Sequence, residues 1–109
     1  MSLKKTPDEM SRDVNLFILK SRMSAHIEKF RPVEIVVKRV YSSSDMTYTY
    51  TVVDNENKKN VVAIKMPLEY HFETDELIEE ILMKKFKYKF VRRGGFDEID
   101  LVYYVYRKE

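Results

Sequence analysis

Residues 33–68 read VEIVVKRVYSSSDMTYTYTVVDNENKKNVVAIKMPL, and this stretch decides the fold. Its middle segment, 46–53, alternates apolar or aromatic residues with threonine, which is the period-two pattern of a strand. The flanking segments 33–41 and 61–68 are rich in β-branched residues, and short polar stretches with the composition of turns separate all three. The stretch therefore predicts three consecutive strands paired as an antiparallel meander.

A helix is predicted before this meander, from Pro7 to about Phe30. Thr6 and Glu9 have the spacing of a capping box, and proline is favoured in the first helical turn. Pro32 lacks a backbone N–H and disfavours helical geometry in the residue before it, so the helix is expected to stop there. The apolar stripe predicted to face the core consists of Leu16, Leu19, Met23, Ile27 and Phe30, widened by Met10, Val14 and Phe17.

A second helix and two more strands are predicted after the meander. The sequence Thr-Asp-Glu at 74–76 places acids in a first helical turn, and the lysines at 84–85 suit a last turn. Residues 87–91 and 98–106 read as strands joined by a loop over 92–97. The two glycines of that loop, Gly94 and Gly95, are interpreted as a turn that needs positive φ, with Arg92 and Arg93 at its exposed tip.

These elements define an α+β fold in one domain over residues 1–109, with residues 1–6 expected to form a disordered tail. The predicted order is α-β-β-β-α-β-β, with a mainly antiparallel sheet of about five strands and both helices on one face. The length and the 44% hydrophobic content suit one compact core.

The composition argues against a transmembrane protein, a secreted protein and a protein held together by disulfides. We therefore expect the chain in the cytoplasm, or in a host cytoplasm if it is viral. The chain has no cysteine, no run of about 18 apolar residues and no apolar segment resembling a secretory signal near its start. It also lacks Gln and Trp, and Lys outnumbers Arg, which is typical of thermophilic proteins, although an AT-rich genome would give the same lysine enrichment. We therefore expect a small soluble protein from a thermophile, of archaeal or viral origin.

Strand parity predicts which residues face the helices, because alternate side chains point to opposite sides of a sheet. The bulkier set on each strand is assigned to the helix-facing side: Val33, Ile35, Val37, Met46, Tyr48, Tyr50, Val52, Val62, Ile64, Met66, Tyr88, Phe90, Ile99, Leu101, Tyr103 and Val105. The second face then collects several β-branched residues together with Lys38, Lys65, Lys87, Lys89, Tyr104 and Tyr106. Such a mixed face is typical of a surface that meets a partner.

Charge is strongly segregated along the chain near the second helix. Residues 69–83 hold six acids and no lysine or arginine, whereas residues 84–93 hold six bases and no acid. Complementarity to the helix dipole accounts for charges at the helix ends, but it does not account for bases beyond the helix. Lysines that alternate with aromatic residues on a strand have a spacing that suits a row of phosphates.

The favoured hypothesis is a non-enzymatic protein that binds DNA or RNA with low sequence specificity, through backbone phosphates and base stacking. Its predicted contact residues are Lys84, Lys85, Lys87, Lys89, Arg92, Arg93, Lys38, Lys65, Tyr104 and Tyr106. No cofactor is expected.

An alternative hypothesis is a protein-interaction or inhibitor module, acting as a homodimer through the second sheet face or presenting its acidic helix to a basic partner. The acidic patch consists of Glu73, Asp75, Glu76, Glu79 and Glu80.

A third hypothesis is an inactive nuclease-like fold. The element order resembles that of the restriction-endonuclease-like nucleases, in which an Asp and a Glu-x-Lys motif hold magnesium; Asp54 and Glu56-Asn57-Lys58 carry the resemblance. The strand position for the acid reads Ala63-Ile64-Lys65, which leaves too few carboxylates for magnesium. His71 and Glu73 have the spacing of two metal ligands, but no third ligand is identifiable, and His26 is interpreted as a packing residue, so no metal is expected. No pair of catalytic groups is recognisable either, so catalysis is not expected.

Overall fold

A five-stranded antiparallel sheet with two α-helices forms the protein in the computed structural model, which describes residues 4–109. The strand order is β3-β2-β1-β5-β4. The elements are α1 (Pro7–Phe30), β1 (Glu34–Ser42), β2 (Thr47–Asp54), β3 (Lys59–Pro67), α2 (His71–Glu79), β4 (Tyr88–Phe96) and β5 (Leu101–Lys108). The predicted α+β class and element order are confirmed. Residues 1–3 of the predicted tail lie outside the described residues.

Helix α1 begins and ends as its local sequence dictates. The Glu9 backbone N–H donates to Thr6 Oγ1 at 3.2 Å, and the Thr6 N–H donates to Glu9 Oε1 at 3.1 Å, which completes the capping box. Arg31 terminates the helix in the left-handed conformation, with φ of 44°. No helix within residues 4–109 combines the length and apolar character needed to cross a bilayer.

The core-facing stripe of α1 is narrower than its sequence predicts. Leu19, Met23 and Ile27 are buried, whereas Met10, Val14 and Phe17 are 56%, 58% and 71% exposed. The last three residues recur on the side of the helix directed away from Leu19 and Met23, because each residue advances about 100° around the axis. The inclusion of these three residues in the core stripe was therefore wrong.

The core lies between the helices and one face of the sheet. The three-strand meander is confirmed, with β2 hydrogen-bonded to both β1 and β3. The largest fully buried side chains include Tyr50, Leu19, Met23, Ile35, Met66 and Leu82. Burial of apolar surface from three strands and both helices therefore holds the two layers together.

Helix α2 begins three residues before the predicted position. A short 3₁₀ turn over Leu68–Tyr70 leads directly into the helix at His71, and a π-helical segment over Glu80–Lys85 extends its far end. Thr74, the predicted start, lies inside the helix and is buried; its hydroxyl donates to the Tyr70 carbonyl at 2.9 Å. This back-bonding removes the side chain from any capping role.

The β4–β5 hairpin corrects the predicted loop. Strand β4 continues through Arg92, Arg93 and both glycines, and the chain reverses over a 3₁₀ turn at Asp97–Ile99. Neither glycine has positive φ. Both glycines are needed for close packing instead: a Cβ on Gly94 would lie 2.2 Å from Tyr103 Cζ, and a Cβ on Gly95 would lie 2.6 Å from the Leu101 carbonyl oxygen.

Alanine substitutions at these glycines are expected to have unequal effects on stability. In Gly95→Ala the new methyl group meets backbone, so the hairpin must shift, and we expect a loss of about 1–3 kcal/mol in the free energy of unfolding. In Gly94→Ala the end of the Tyr103 side chain can swing away at smaller cost. Urea unfolding of both variants checks this order; an equal loss, or a larger loss for Gly94→Ala, would contradict it.

A buried carboxylate anchors the β2–β3 turn to α1. Asp54 is fully buried and accepts hydrogen bonds from the backbone N–H groups of Glu56 and Asn57, at 3.0 and 2.9 Å. Its second oxygen accepts from Asn57 Nδ2 and pairs with His26 Nε2, both at 2.7 Å. Four partners therefore satisfy this carboxylate in the interior.

Candidate functional site

The register of β5 places its tyrosines opposite to the predicted side. Tyr104 pairs with Val37 and Tyr106 pairs with Ile35, and cross-strand partners project to the same face. Val37 and Ile35 are core residues, so Tyr104 and Tyr106 face the helices. Burial raises the pKa of Tyr106 to about 12, with a further contribution from Glu79. The predicted open-face position of both tyrosines was wrong.

The reason lies in the composition of β5, because both sets of alternate residues along this strand are apolar or aromatic. Leu101, Tyr103 and Val105 form one set, and Val102, Tyr104 and Tyr106 form the other. A shift of one residue in register exchanges the two sets, and no local signal chooses between them. Tyr103 therefore takes the open face, beside its partner Lys38 on β1.

The structure divides the predicted basic contact residues among the helix layer, the turn before β4 and both faces of the sheet. Lys84 and Lys85 lie on the π-helical segment in the helix layer, where Lys85 Nζ donates to Ser24 Oγ at 3.2 Å. Lys87 precedes β4 with φ of 62°, so it does not continue the strand alternation. Arg93 pairs with Tyr104 and therefore faces the helix side.

Four predicted bases do share the open face, and one further base joins them. The pairing register places Lys38, Lys65, Lys89, Arg92 and Arg107 on this side of the sheet. A bulge between Phe90 and Arg92 shifts the parity of β4, which puts Arg92 rather than Arg93 on the open face. Arg107 follows the last predicted strand, so sequence reasoning missed it.

Three of these five bases have carboxylate partners. Lys65 pairs with Asp45 and lowers the pKa of that carboxyl to about 2. Lys89 Nζ lies 2.7 Å from a Glu109 oxygen, and Arg107 Nη2 lies 2.8 Å from Glu34 Oε2. Within residues 4–109, neither Lys38 nor Arg92 makes an ion pair. These two cations are therefore available to an anionic ligand.

Tyr103 lies between the two unpaired cations. Lys38 is its cross-strand partner on β1, and the Arg92 guanidinium carbon lies 6.0 Å from the centre of the Tyr103 ring. The outer end of the ring lies directly over Gly94, where any side chain would collide with it. Phe96 lies beyond the ring, with the two ring centres 6.5 Å apart. We call Lys38, Arg92, Gly94, Phe96 and Tyr103 the Tyr103 platform.

The surface beside the Tyr103 platform has low relief. Ala63, Thr51, Lys38, Tyr103 and Gly94 form one row across the five strands. Small side chains therefore occupy this row on β2 and β3, and glycine ends it on β4. The Tyr103 ring covers Gly94, and the side chain keeps intermediate exposure to solvent beside the Arg92 guanidinium.

The predicted acidic patch lies in the helix layer, on the other side of the sheet. Asp75 accepts from the Tyr50 hydroxyl at 2.9 Å and from Arg39 Nη1 at 3.3 Å, so its charge is balanced internally. Glu73 is exposed and lies 3.7 Å from Arg12. Glu76, Glu79 and Glu80 are also exposed. The sheet therefore separates the acids of α2 from the bases of the open face.

The residues that carry the nuclease resemblance do not form a metal site. Asp54 is occupied by its four hydrogen bonds, and Glu56 and Lys58 lie in the β2–β3 turn rather than on a strand. The ring of His71 contacts the Leu68 carbonyl oxygen at 2.9 Å through Nδ1. No group of three or more His, Cys, Asp or Glu residues suited to a metal ion occurs between residues 4 and 109.

Comparison with known proteins gives no functional information, so functional inference rests on the two sides of the sheet. No protein family, curated protein or solved structure matches the chain.

Proposed function

We propose that this protein binds single-stranded nucleic acid on the open face of its sheet, without catalysis and with low sequence specificity. The observation that carries the proposal is the Tyr103 ring lying over Gly94 between two unpaired cations, Lys38 and Arg92. This arrangement supplies a stacking surface and two phosphate partners within one small area.

The flat ring favours single strands over duplexes. A base can stack on the outward face of Tyr103 only where it is free of its neighbours, and bases inside a duplex are already stacked and paired. The low-relief row beside the ring accepts further bases or sugars without collision. Five strands about 4.8 Å apart span about 19 Å, which is enough for a tract of a few nucleotides.

Low sequence specificity follows from the chemistry of the platform. Aromatic stacking accepts every base, because each base has a π face. Lys38 and Arg92 donate to phosphates, which are identical along the strand. The near-neutral total charge of +2 does not oppose binding, since the sheet keeps the acids of α2 on its other side.

The side chains of the open face argue against the alternative hypothesis, a homodimer formed through this face. Val36 and Val105 are already buried within the monomer, with 9% and 2% exposure, so little apolar area at the centre of this face is left to bury. The acids beside this face, Glu34, Asp45 and Glu109, already pair with Arg107, Lys65 and Lys89. Pairing two open faces would therefore remove Lys38 and Arg92 from water without giving them partners, and desolvating unpaired charges is costly.

Tyr103→Leu tests the proposal, with Tyr104→Leu as the matched control on the opposite face of the same strand. Stacking contributes about 1–3 kcal/mol per base, so we expect Tyr103→Leu to weaken binding about 5- to 150-fold and Tyr104→Leu to leave it nearly unchanged. Fluorescence anisotropy with a labelled 20-nucleotide oligothymidylate and a 20-base-pair duplex measures both variants.

Three results would count against the proposal. Absence of oligothymidylate binding at low salt would reject it outright. Equal losses in the two variants would mean that the open face is not the binding surface. Tighter binding to the duplex than to the single strand would contradict the stacking role of Tyr103.

A further inference from the structure

A groove of about 200 Å³ opens on the helix side of the sheet, between α2 and the β4–β5 hairpin. Phe90, Tyr104 and Tyr106 line its sheet wall, and Asp75 and Glu79 line its helix wall. We call these five residues the aromatic groove. It lies on the opposite side of the sheet from the Tyr103 platform.

The three rings form a concave aromatic wall. The centre of the Phe90 ring lies 6.3 Å from that of Tyr104 and 5.7 Å from that of Tyr106, and the ring planes are inclined by 51° and 65°. In such inclined pairs the edge of one ring meets the face of another, so the wall combines ring edges with π faces, and the faces carry partial negative charge. Phe90 is 46% exposed, so the wall is accessible from solvent.

Glu79 supplies the net charge of the groove. Asp75 is balanced by Arg39 and by the Tyr50 hydroxyl, as described above. The Arg93 guanidinium carbon lies over the Tyr104 ring, 5.9 Å from its centre, but Arg93 does not line the groove. Glu79 has no hydrogen-bond or ion-pair partner among the side chains of residues 4–109. An accessible carboxylate therefore shares the groove with three aromatic rings, and no lysine or arginine is among the residues that line it.

We infer that the aromatic groove binds a primary alkylammonium group, such as the side chain of a lysine on a partner protein. The ammonium would donate to the Glu79 carboxylate while lying against the aromatic faces, and both contacts favour a cation. Val37 and Ile78, which also line the groove, would pack against the methylene stem. This inference does not depend on nucleic-acid binding, because it uses other residues on the other side of the sheet.

An NMR titration with n-butylammonium tests the inference, with n-butanol as the neutral analogue. We expect saturable chemical-shift changes centred on Phe90, Tyr104 and Glu79, and at least tenfold weaker binding of n-butanol. Because a hydrogen bond to a charged group contributes about 1.5–3 kcal/mol, Glu79→Gln is expected to weaken n-butylammonium binding about tenfold or more.

Glu80→Gln is the matched control, since Glu80 is the next residue, equally acidic and exposed, and does not line the groove. We expect it to change the affinity less than twofold. Equal effects of the two substitutions would overturn the inference by showing diffuse attraction to the acidic surface. Equal binding of n-butanol would overturn it by showing a merely apolar groove.

A blocked tripeptide with a central lysine distinguishes two sources of the ammonium group. Saturation by both the tripeptide and n-butylammonium would support a lysine side chain of a partner as the occupant. Saturation by n-butylammonium alone would support a small free amine. Saturation by neither would overturn the inference.

Discussion

Replacing Asp54 with alanine is expected to lower the free energy of unfolding by about 3–5 kcal/mol, a large part of the stability of a small domain. The substitution leaves His26, Asn57 and two backbone N–H groups in and around the interior without their common acceptor. Buried polar groups without partners lose their hydrogen bonds to water and form no hydrogen bond within the protein to replace them. Urea unfolding, with an unchanged m-value, measures the effect.

The same carboxylate is expected to make stability depend on pH in the acid range. Burial alone would raise the pKa of Asp54, but the hydrogen bonds from Asn57 and the contact with His26 outweigh it and lower the pKa. A carboxyl whose pKa is lower in the folded state contributes stability above its unfolded pKa of about 3.9. That contribution is lost as the pH falls through the folded pKa.

Two variants complete the Asp54 experiment. Asp54→Asn keeps the shape of the side chain but does not ionise, so its stability should change less between pH 6 and pH 3 than that of the wild type. Asp97→Ala removes an exposed acid in the β4–β5 turn and should change stability by less than about 0.5 kcal/mol. A loss below 1 kcal/mol in Asp54→Ala would show that the β2–β3 turn does not depend on this carboxylate.

The double substitution Lys38→Glu and Arg92→Glu is expected to weaken single-strand binding at least about 100-fold near physiological salt. Each substitution removes a charge-assisted contact of about 1.5–3 kcal/mol and places a repelling carboxylate beside the Tyr103 ring. Loss of two phosphate contacts should also reduce the slope of log K against log salt by about 1.4, since each contact on a single strand contributes about 0.7.

The matched control is Lys84→Glu with Lys85→Glu, which changes the net charge by the same amount, from +2 to about −2, but in the helix layer. Salt titrations by fluorescence anisotropy compare the two double variants. We expect the control to weaken binding less than tenfold and to keep the wild-type salt slope. Similar losses in both variants would mean that total charge, rather than the open face, governs binding.

Local signals in the chain predicted the elements well because each signal acts within a few residues. Thr6 and Glu9 cap α1 as their spacing requires. The alternating segment 46–53 matches β2, Thr47–Asp54, to within one residue at each end. Errors arose where a local signal had two interpretations. Thr74 resembles a helix cap but bonds backwards inside α2, and Gly94-Gly95 resembles a turn but lies in a strand.

The candidate site was only partly predictable for a different reason. The charge blocks drew attention to residues 84–93, but the structure distributes those bases over the helix layer, a turn and both faces of the sheet. Lys38 and Arg92 come together with Tyr103 only because β1 and β4 both flank β5. Strand order is a long-range property, and no periodicity along the chain records it.

The amino-acid sequence, read alone, specifies the α+β class, the meander and the limits of α1, because capping, alternation and proline act through the nearest residues of the backbone. Tertiary structure alone decides that Tyr103 rather than Tyr104 lies on the open face. Both parities of β5 are apolar, so the choice depends on which set fills the core beside Val37 and Ile35. Packing of distant strands therefore selects the residues of the candidate site.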